Sequence, residues 1–250
     1  MSRIPYLSAF AVLLLVLLSA CSTPNGQPQK GSEPVAPNQV VDFDTLYAHN
    51  CSACHGAEGR GGASMALANP VYLAVVDENA LHNVVANGVH GTSMPAFAQS
   101  AGGFLTDQQI DVITSGMFSR WGRKEILDGT NPPSYAAKTT GDAARGEIAF
   151  GTYCASCHGL EGRGGSKASA ISNDSLLALV SDQGLRTIVI TGRPDLGAPD
   201  WRANLPGKAM SDKEITDVVA WLASRRVQSP GQPYSASNDA QHHYAEHLEK

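Results

Sequence analysis

Several residue types are scarce in this 250-residue chain, and each scarcity excludes a class of structure. Lysine and arginine total 18 against 23 aspartates and glutamates, so the sequence has no basic footprint for nucleic acid. No segment has the alternating pattern of a β-strand, and the apolar run at residues 7–18 is shorter than the ~20 apolar residues that span a membrane. Aromatic residues make up only 6%, which leaves small domains short of side chains that fill a core.

Cysteine is scarce as well, with five in the chain, but four of the five form a repeated motif. Cys-x-x-Cys-His occurs at residues 51–55 and again at residues 154–158. In each copy two thiols can bond to the vinyl groups of a haem, and the adjacent imidazole can bind its iron. Zinc sites and thioredoxin-like pairs also use Cys-x-x-Cys, but zinc needs four ligands and each half offers three in this frame. The motifs predict two covalently attached haem c groups, at Cys51, Cys54, His55, Cys154, Cys157 and His158.

The fifth cysteine, Cys21, follows a segment with the shape of a secretory signal. Arg3 precedes the apolar run of residues 7–18, and small residues stand just before Cys21. This order resembles a bacterial lipoprotein signal, in which Cys21 becomes the lipidated N-terminus and anchors the chain to a membrane. An ordinary signal peptide and a retained N-terminal anchor are the alternatives. The prediction is a bacterial cell-envelope protein on the periplasmic side, lipid-anchored to a membrane.

An internal repeat organises the remainder of the chain. Residues 51–62 match residues 154–165 at an offset of 103, and residues 105–110 parallel residues 210–215. Between the two copies lies a segment rich in turn-forming residues, and ahead of the first copy lies a Pro-, Gly- and Ser-rich stretch. We therefore expect a signal peptide at 1–20, a lipidated flexible tether at 21–41, a first domain at 42–127, a linker at 128–141, a second domain at 142–227 and a polar tail at 228–250.

Helix signals recur in both halves of the repeat. Tyr47 and Phe150 each lie four residues before the first cysteine of a motif. Phe43 and Gly146 stand four residues earlier again, so each pair lies on one face of an expected helix. A capping-box pattern, Ser/Thr-x-x-Gln/Glu, occurs at residues 106–109 and 211–214, just ahead of two amphipathic runs. These runs predict a closing helix for each half, over residues 110–121 and 215–226.

These motifs resemble the class I c-type cytochromes in a tandem dihaem form, over residues 42–227. The resemblance implies an all-α fold of two cytochrome c-like domains in tandem, each wrapped around one covalently bound haem. It implies an electron carrier and not an enzyme, relaying single electrons between a membrane dehydrogenase or quinol-oxidising complex and an oxidase or other carrier. The expected partners are a redox donor and acceptor, within a respiratory or photosynthetic complex or outside one.

In that family a methionine beyond the haem histidine usually completes the coordination of iron. The first half offers Met94, 39 residues after the motif histidine and followed by proline. A thioether ligand stabilises ferrous iron and so raises the reduction potential. Core packing by Met94, Met65 or Met117 and coordination by His90 are the competing interpretations.

The second half breaks this pattern, because Ala198 stands where Met94 stands and a methyl group cannot bind iron. The one methionine of this half, Met210, precedes the expected N-cap Ser211 and is placed to pack on Ile215 as a hydrophobic staple. The sixth ligand of the second haem is left open between Met210, a histidine of the tail or of another subunit, and a vacant or water-filled position. A vacant position motivates the alternative function, a peroxidase-like haem enzyme or a small-ligand binder. The tail histidines are His242, His243 and His247.

Overall fold

The computed structural model describes residues 34–227. The expectations for the signal peptide, Cys21, most of the tether and the polar tail lie outside this range. Residues up to Gln39 belong to a unit of their own, whose described part holds a short 3-10 helix at Pro37–Gln39. The unit that begins at Val40 contains both copies of the repeat.

Ten α-helices lie between residues 40 and 227, five in each repeat. Those of the first repeat are α1 (Phe43–Asn50), α2 (Ser52–His55), α3 (Pro70–Val75), α4 (Glu78–Asn87) and α5 (Asp107–Trp121). Those of the second are α6 (Ala143–Tyr153), α7 (Ala155–His158), α8 (Asp174–Leu179), α9 (Asp182–Thr191) and α10 (Asp212–Ser224). The part of the chain that the structure describes contains isolated β-bridges but no strand, which confirms the all-α prediction. Within that part, no helix has the length and apolarity to cross a bilayer.

Both closing helices begin at the capping boxes that the sequence predicts. The Thr106 hydroxyl accepts a hydrogen bond from the Gln109 backbone N–H, and the Gln109 side chain accepts one from the Thr106 N–H. Ser211 and Glu214 repeat this exchange in the second half. Each box satisfies two N–H groups that a helix N-terminus leaves without an intrahelical partner. The helices therefore begin one residue after each cap, earlier than the amphipathic runs indicated.

The first and last helices of each repeat cross at a close contact between a glycine and a larger side chain. In the first repeat the half-buried Phe43 on α1 lies over Gly116 on α5, where an added Cβ would come within 2.1 Å of the Phe43 ring. In the second repeat the glycine is Gly146 on α6, and its Cβ would come within 2.0 Å of the Asp217 carbonyl oxygen and 2.8 Å of Trp221 on α10. The small and large positions have exchanged helices, so both crossings keep one glycine.

This exchange predicts unequal costs for two Gly→Ala substitutions. Gly146→Ala should lower the free energy of unfolding by about 1–3 kcal/mol, because its new methyl group meets backbone that cannot move aside. Gly116→Ala should cost less, because its new methyl group meets the half-buried side chain of Phe43 and not backbone, and alanine favours the helix by about 1 kcal/mol. Denaturant unfolding of both variants checks this order, and a larger loss for Gly116→Ala would contradict it.

One asparagine side chain joins the two repeats at the ends of two helices. The side-chain oxygen of Asn69, Oδ1, caps α3 by accepting hydrogen bonds from the Val71 and Tyr72 N–H groups. Its Nδ2 donates to the carbonyl of Thr191, the last residue of α9, at 2.9 Å. Asn69 is only 4% exposed, so this bond satisfies a helix-end carbonyl in a buried setting. Alongside it Val71, on α3, belongs to the buried core cluster of the second repeat.

The second repeat supplies a matched control for this contact. Asn173 caps α8 in the same way as Asn69 caps α3, but it is exposed. Serine is an equally good N-cap, so Asn173→Ser should change the free energy of unfolding by only a few tenths of a kcal/mol. Asn69→Ser should cost about 1–3 kcal/mol, because the Thr191 carbonyl loses its donor. Equal effects in calorimetry or denaturant titration would show that the bond between repeats adds no stability.

Candidate functional site

Each motif folds into a single helical turn that begins directly after its first cysteine. Cys51 precedes α2 with φ −119° and ψ −35°, and Cys154 precedes α7 with φ −119° and ψ −32°. The N–H of the second cysteine donates to the carbonyl of the first at 3.2 and 3.1 Å, and the histidine N–H donates to the same carbonyl at 3.0 Å in both repeats. Two thiols and an imidazole thus share one turn, in nearly the same geometry twice.

The imidazole of each motif is held by a backbone carbonyl. His55 Nδ1 lies 2.8 Å from the Met65 carbonyl oxygen, and His158 Nδ1 lies 2.8 Å from that of Ser169. A carbonyl oxygen only accepts, so Nδ1 carries the proton and Nε2 keeps a free lone pair. A metal-binding histidine is oriented in this way, by a hydrogen bond from its other ring nitrogen.

Burial keeps the first imidazole neutral. His55 is 8% exposed, and this desolvation lowers the pKa of the ring, with the Met65 hydrogen bond acting in the opposite direction. His158 is half-buried. A neutral ring is the form that donates a lone pair to iron.

The motif thiols are present as separate, unbridged cysteines in the described range. Burial raises the pKa of Cys51 to about 12, with a smaller contribution from the neighbouring Cys54, and burial beside Cys157 raises that of Cys154 to about 12. Among residues 34–227 no group of three or more His, Cys, Asp or Glu side chains converges on a metal-binding point. The zinc interpretation therefore has no four-ligand site in that range.

Glycines allow the chain to fold back tightly after each motif. Gly56 has φ +84°, and a Cβ there would lie 1.8 Å from the Arg60 carbonyl oxygen. A Cβ on Gly62 would lie 2.2 Å from the Cys54 carbonyl oxygen. Tyr47 Oη donates to the Gly56 carbonyl at 2.9 Å, so the helix ahead of the motif also holds the loop behind it. Only glycine fits these close approaches.

Met94 lies on an ordered turn that follows α4. Its N–H donates to Thr92 Oγ1 at 3.2 Å, and its carbonyl accepts from the Val89 N–H at 3.0 Å. The side chain is partly buried against the core cluster of the first repeat. Met117, by contrast, is 1% exposed in the middle of that core, and Met65 supplies its carbonyl on the Nδ1 side of His55. The competing His90 is exposed and lines an open cavity of about 300 Å³ that it shares with residues of the second repeat.

The backbone places Ala198 at the position of Met94. A Cβ on Gly88, just after α4, would come within 2.7 Å of the Met94 carbonyl oxygen, and one on Gly192, just after α9, within 2.6 Å of the Ala198 carbonyl oxygen. Both glycines have the same conformation, with φ +67° and +65°. The two repeats therefore share the backbone of this loop and differ in the side chain, which is Met94 in the first and Ala198 in the second.

Met210 lies in the core of the second repeat, where it is 2% exposed in the same cluster as Ile215. The Asn204 side chain donates to its sulfur at 3.6 Å. These contacts explain a buried methionine by packing alone. Its role as an iron ligand stays a prediction, and His242, His243 and His247 lie outside the described residues.

Sequence reasoning missed the two carbonyl groups that orient the imidazoles. Any residue supplies a carbonyl, so neither Met65 nor Ser169 carries a signal for this role. It also missed Asn69, whose capping role has a sequence signal while its bond to the other repeat has none.

Two covalent attachment turns on an all-α repeat define a c-type cytochrome that carries two haem c groups. The chain belongs to the family described as cytochrome c oxidase, cbb3-type, subunit III, whose model matches residues 38–115 and 141–222. This match confirms the resemblance and the tandem all-α fold expected from the sequence.

Curated relatives come from two kinds of respiratory complex. The Cbb3-type cytochrome c oxidase subunit CcoP of Azospirillum sp. (strain B510) is 29% identical over 48% of this chain, and subunit FixP of Rhizobium etli is 31% identical over 48%. The cytochrome bc1 complex cytochrome c subunit of Mycobacterium bovis is 26% identical over 74% of this chain. The matched segments span 39% of the length of the first two proteins and 64% of the third. These names agree with the expectation of an electron-transfer protein.

The shared loop makes a direct prediction for Ala198→Met. If the second iron lacks a thioether ligand, a methionine here should bind it as expected for Met94, giving a low-spin six-coordinate haem with a raised reduction potential. Ala198→Leu is the control, because it adds a similar volume without sulfur. Absorption spectra and redox titration of the haem-loaded variants measure the effect. Spectra and potentials of Ala198→Met that equal those of the parent would contradict the equivalence.

Proposed function

We propose that this chain is an electron carrier that relays single electrons in a respiratory chain through two haem sites. The observation that carries the proposal is the pair of motif turns in which the imidazole Nδ1 is bound to a backbone carbonyl. This bond leaves the lone pair of Nε2 available for a metal. Haem iron supplies one-electron cycling between ferrous and ferric states, and no bond on the protein changes.

The residues of the two motifs have separate roles in this proposal. Cysteines 51 and 54 in the first repeat, and 154 and 157 in the second, form thioether bonds to the two porphyrins. His55 and His158 would bind the irons through Nε2, and the bond from each Nδ1 to a backbone carbonyl holds the ring orientation. Met94 completes the first site, supported by its ordered turn and partly buried side chain.

The second site favours a further candidate function because Ala198 offers no ligand at the position of Met94. Without a strong sixth ligand, this iron would have a lower potential than the first and could bind a small molecule. A small-ligand binder or a peroxidase-like activity is therefore the second candidate. The packing of Met210 and its contact with Asn204 support this vacancy.

The relatives suggest where the carrier works. They are named as subunits of a cbb3-type oxidase and of a bc1 complex, so we infer a redox donor and acceptor within or beside such a membrane complex. The signal-like N-terminus ending at Cys21 supports export to the periplasmic side of a bacterial envelope and a lipid anchor to a membrane.

We also propose domain limits of 42–127 and 142–227, with 128–141 between them. The two ranges hold α1–α5 and α6–α10 respectively.

Replacement of Met94 tests the carrier proposal at its first site. Met94→Leu should lower the reduction potential of one haem by at least ~59 mV, a tenfold shift in a one-electron equilibrium, because a soft ligand to ferrous iron is lost. The second haem should titrate as in the parent. Met65→Leu is the control, since it keeps the carbonyl that binds His55 and alters only a partly buried side chain. If both haems of Met94→Leu keep the reduction potentials of the parent, Met94 is not a ligand of the first haem.

A further inference from the structure

A buried arginine of the second repeat forms hydrogen bonds with the linker between the repeats. Arg186, on α9, has a side chain that is only 2% exposed. Its Nε donates to the carbonyls of Ser134 and Tyr135, each at 3.1 Å, and its Nη2 donates to the Ser134 carbonyl at 2.8 Å. Its Nη1 donates to Thr216 Oγ1 at 2.8 Å, and its Nη2 forms an ion pair with Asp212 Oδ1. A buried guanidinium needs such partners to offset its lost hydration.

The aspartate of this cluster also binds the linker. Asp212 Oδ1 accepts from the Ser134 N–H at 3.0 Å and from the Ser134 hydroxyl at 3.1 Å. Gln183, one turn before Arg186 on α9, donates to the Tyr135 carbonyl at 2.9 Å. Residues 134–135 are thus held by backbone and side-chain bonds to both α9 and α10.

The same linker residues reach the first repeat. The ring of Tyr135 lies 6.4 Å from that of Tyr72, at an interplanar angle of 55°. Tyr72 is 2% exposed on α3, and Tyr135 packs against the core cluster of the first repeat. The linker therefore contacts both repeats: Tyr135 packs on the core of the first, and Arg186 of the second binds the backbone of residues 134–135.

Other contacts agree with a fixed arrangement of the repeats. Asn69 binds the end of α9, and Arg202 Nη1 donates to the Ile126 carbonyl, just ahead of the linker, at 2.9 Å. In the first repeat His82 stands at the position of Arg186 and pairs with Asp111 of its own repeat. The arginine that binds the linker therefore occurs in the second repeat, and its counterpart His82 binds within the first repeat.

We propose that Arg186 is a positioning residue: by clamping residues 134–135 it holds the two haem-binding repeats at a fixed separation, so that an electron passes between them within one chain. This inference rests on the proposed function. With a haem bound in each repeat, one electron would pass from a ferrous to a ferric haem, with no proton or bond transferred. Lysine could not replace Arg186, because a single ammonium cannot match the planar fork of donors.

The test compares Arg186→Gln with Arg145→Gln in the haem-loaded protein. Arg145 pairs with Asp217 at 2.8 Å inside the second repeat and has no bond to the linker. Spin labels attached through Ser115→Cys in the first repeat and Thr152→Cys in the second, both at exposed positions, report the distance between the repeats. Arg186→Gln should broaden the distance distribution and speed amide hydrogen exchange over residues 130–140 at least about tenfold, because losing even one charge-assisted bond predicts that factor and Arg186 makes several. Arg145→Gln should change neither.

A narrow distribution in folded Arg186→Gln would overturn the proposal. If that variant fails to fold, Tyr135→Ala decides, because it removes the bridge to Tyr72 and leaves the Arg186 bonds to the backbone in place. Broadening there supports the proposal, and a parent-like distribution overturns it. Hydrogen exchange does not depend on redox activity, so a parent protein that takes up no electrons would refute the carrier function separately.

Discussion

A hydrogen bond from a histidine ring to a backbone carbonyl, made once in each repeat, is the interaction on which the rest of the site depends. It fixes the proton on Nδ1 and leaves the lone pair of the neutral ring on Nε2. The tight loop behind each motif brings the carbonyl to the ring, and that loop closes only because glycine occupies its closest approaches. The helices on either side hold this loop in place, as the Tyr47 bond to Gly56 illustrates.

Duplication preserved this framework while side chains on it diverged. At the helix crossings the glycine lies on the last helix of the first repeat, Gly116 beneath Phe43, and on the first helix of the second repeat, Gly146 beneath Trp221. On the loop after α4 and α9 the backbone is the same, with methionine in the first repeat and alanine in the second. The first difference conserves one glycine at each crossing, whereas the second places a thioether in one repeat and a methyl group in the other.

Much of this architecture was predictable from the sequence. The repeated motif gave the number of sites, and the capping boxes gave the starts of α5 and α10, because both signals are local in the chain. The contacts between the repeats were not predictable. Asn69 meets Thr191 across 122 residues, and a backbone carbonyl such as that of Met65 has no residue signature. Residues 128–141 have the composition of a flexible connection, yet Arg186 and Asp212 bind Ser134 within them from 52 and 78 residues further along the chain.

Covalent attachment of two haems is the central claim, and the intact mass of the chain tests it most directly. The protein should be produced with its secretion and haem-attachment machinery, unfolded in acidic organic solvent and weighed. The account predicts a mass increased by two haem groups that survive this extraction. A polypeptide that returns to the mass of the bare chain after extraction would contradict the account.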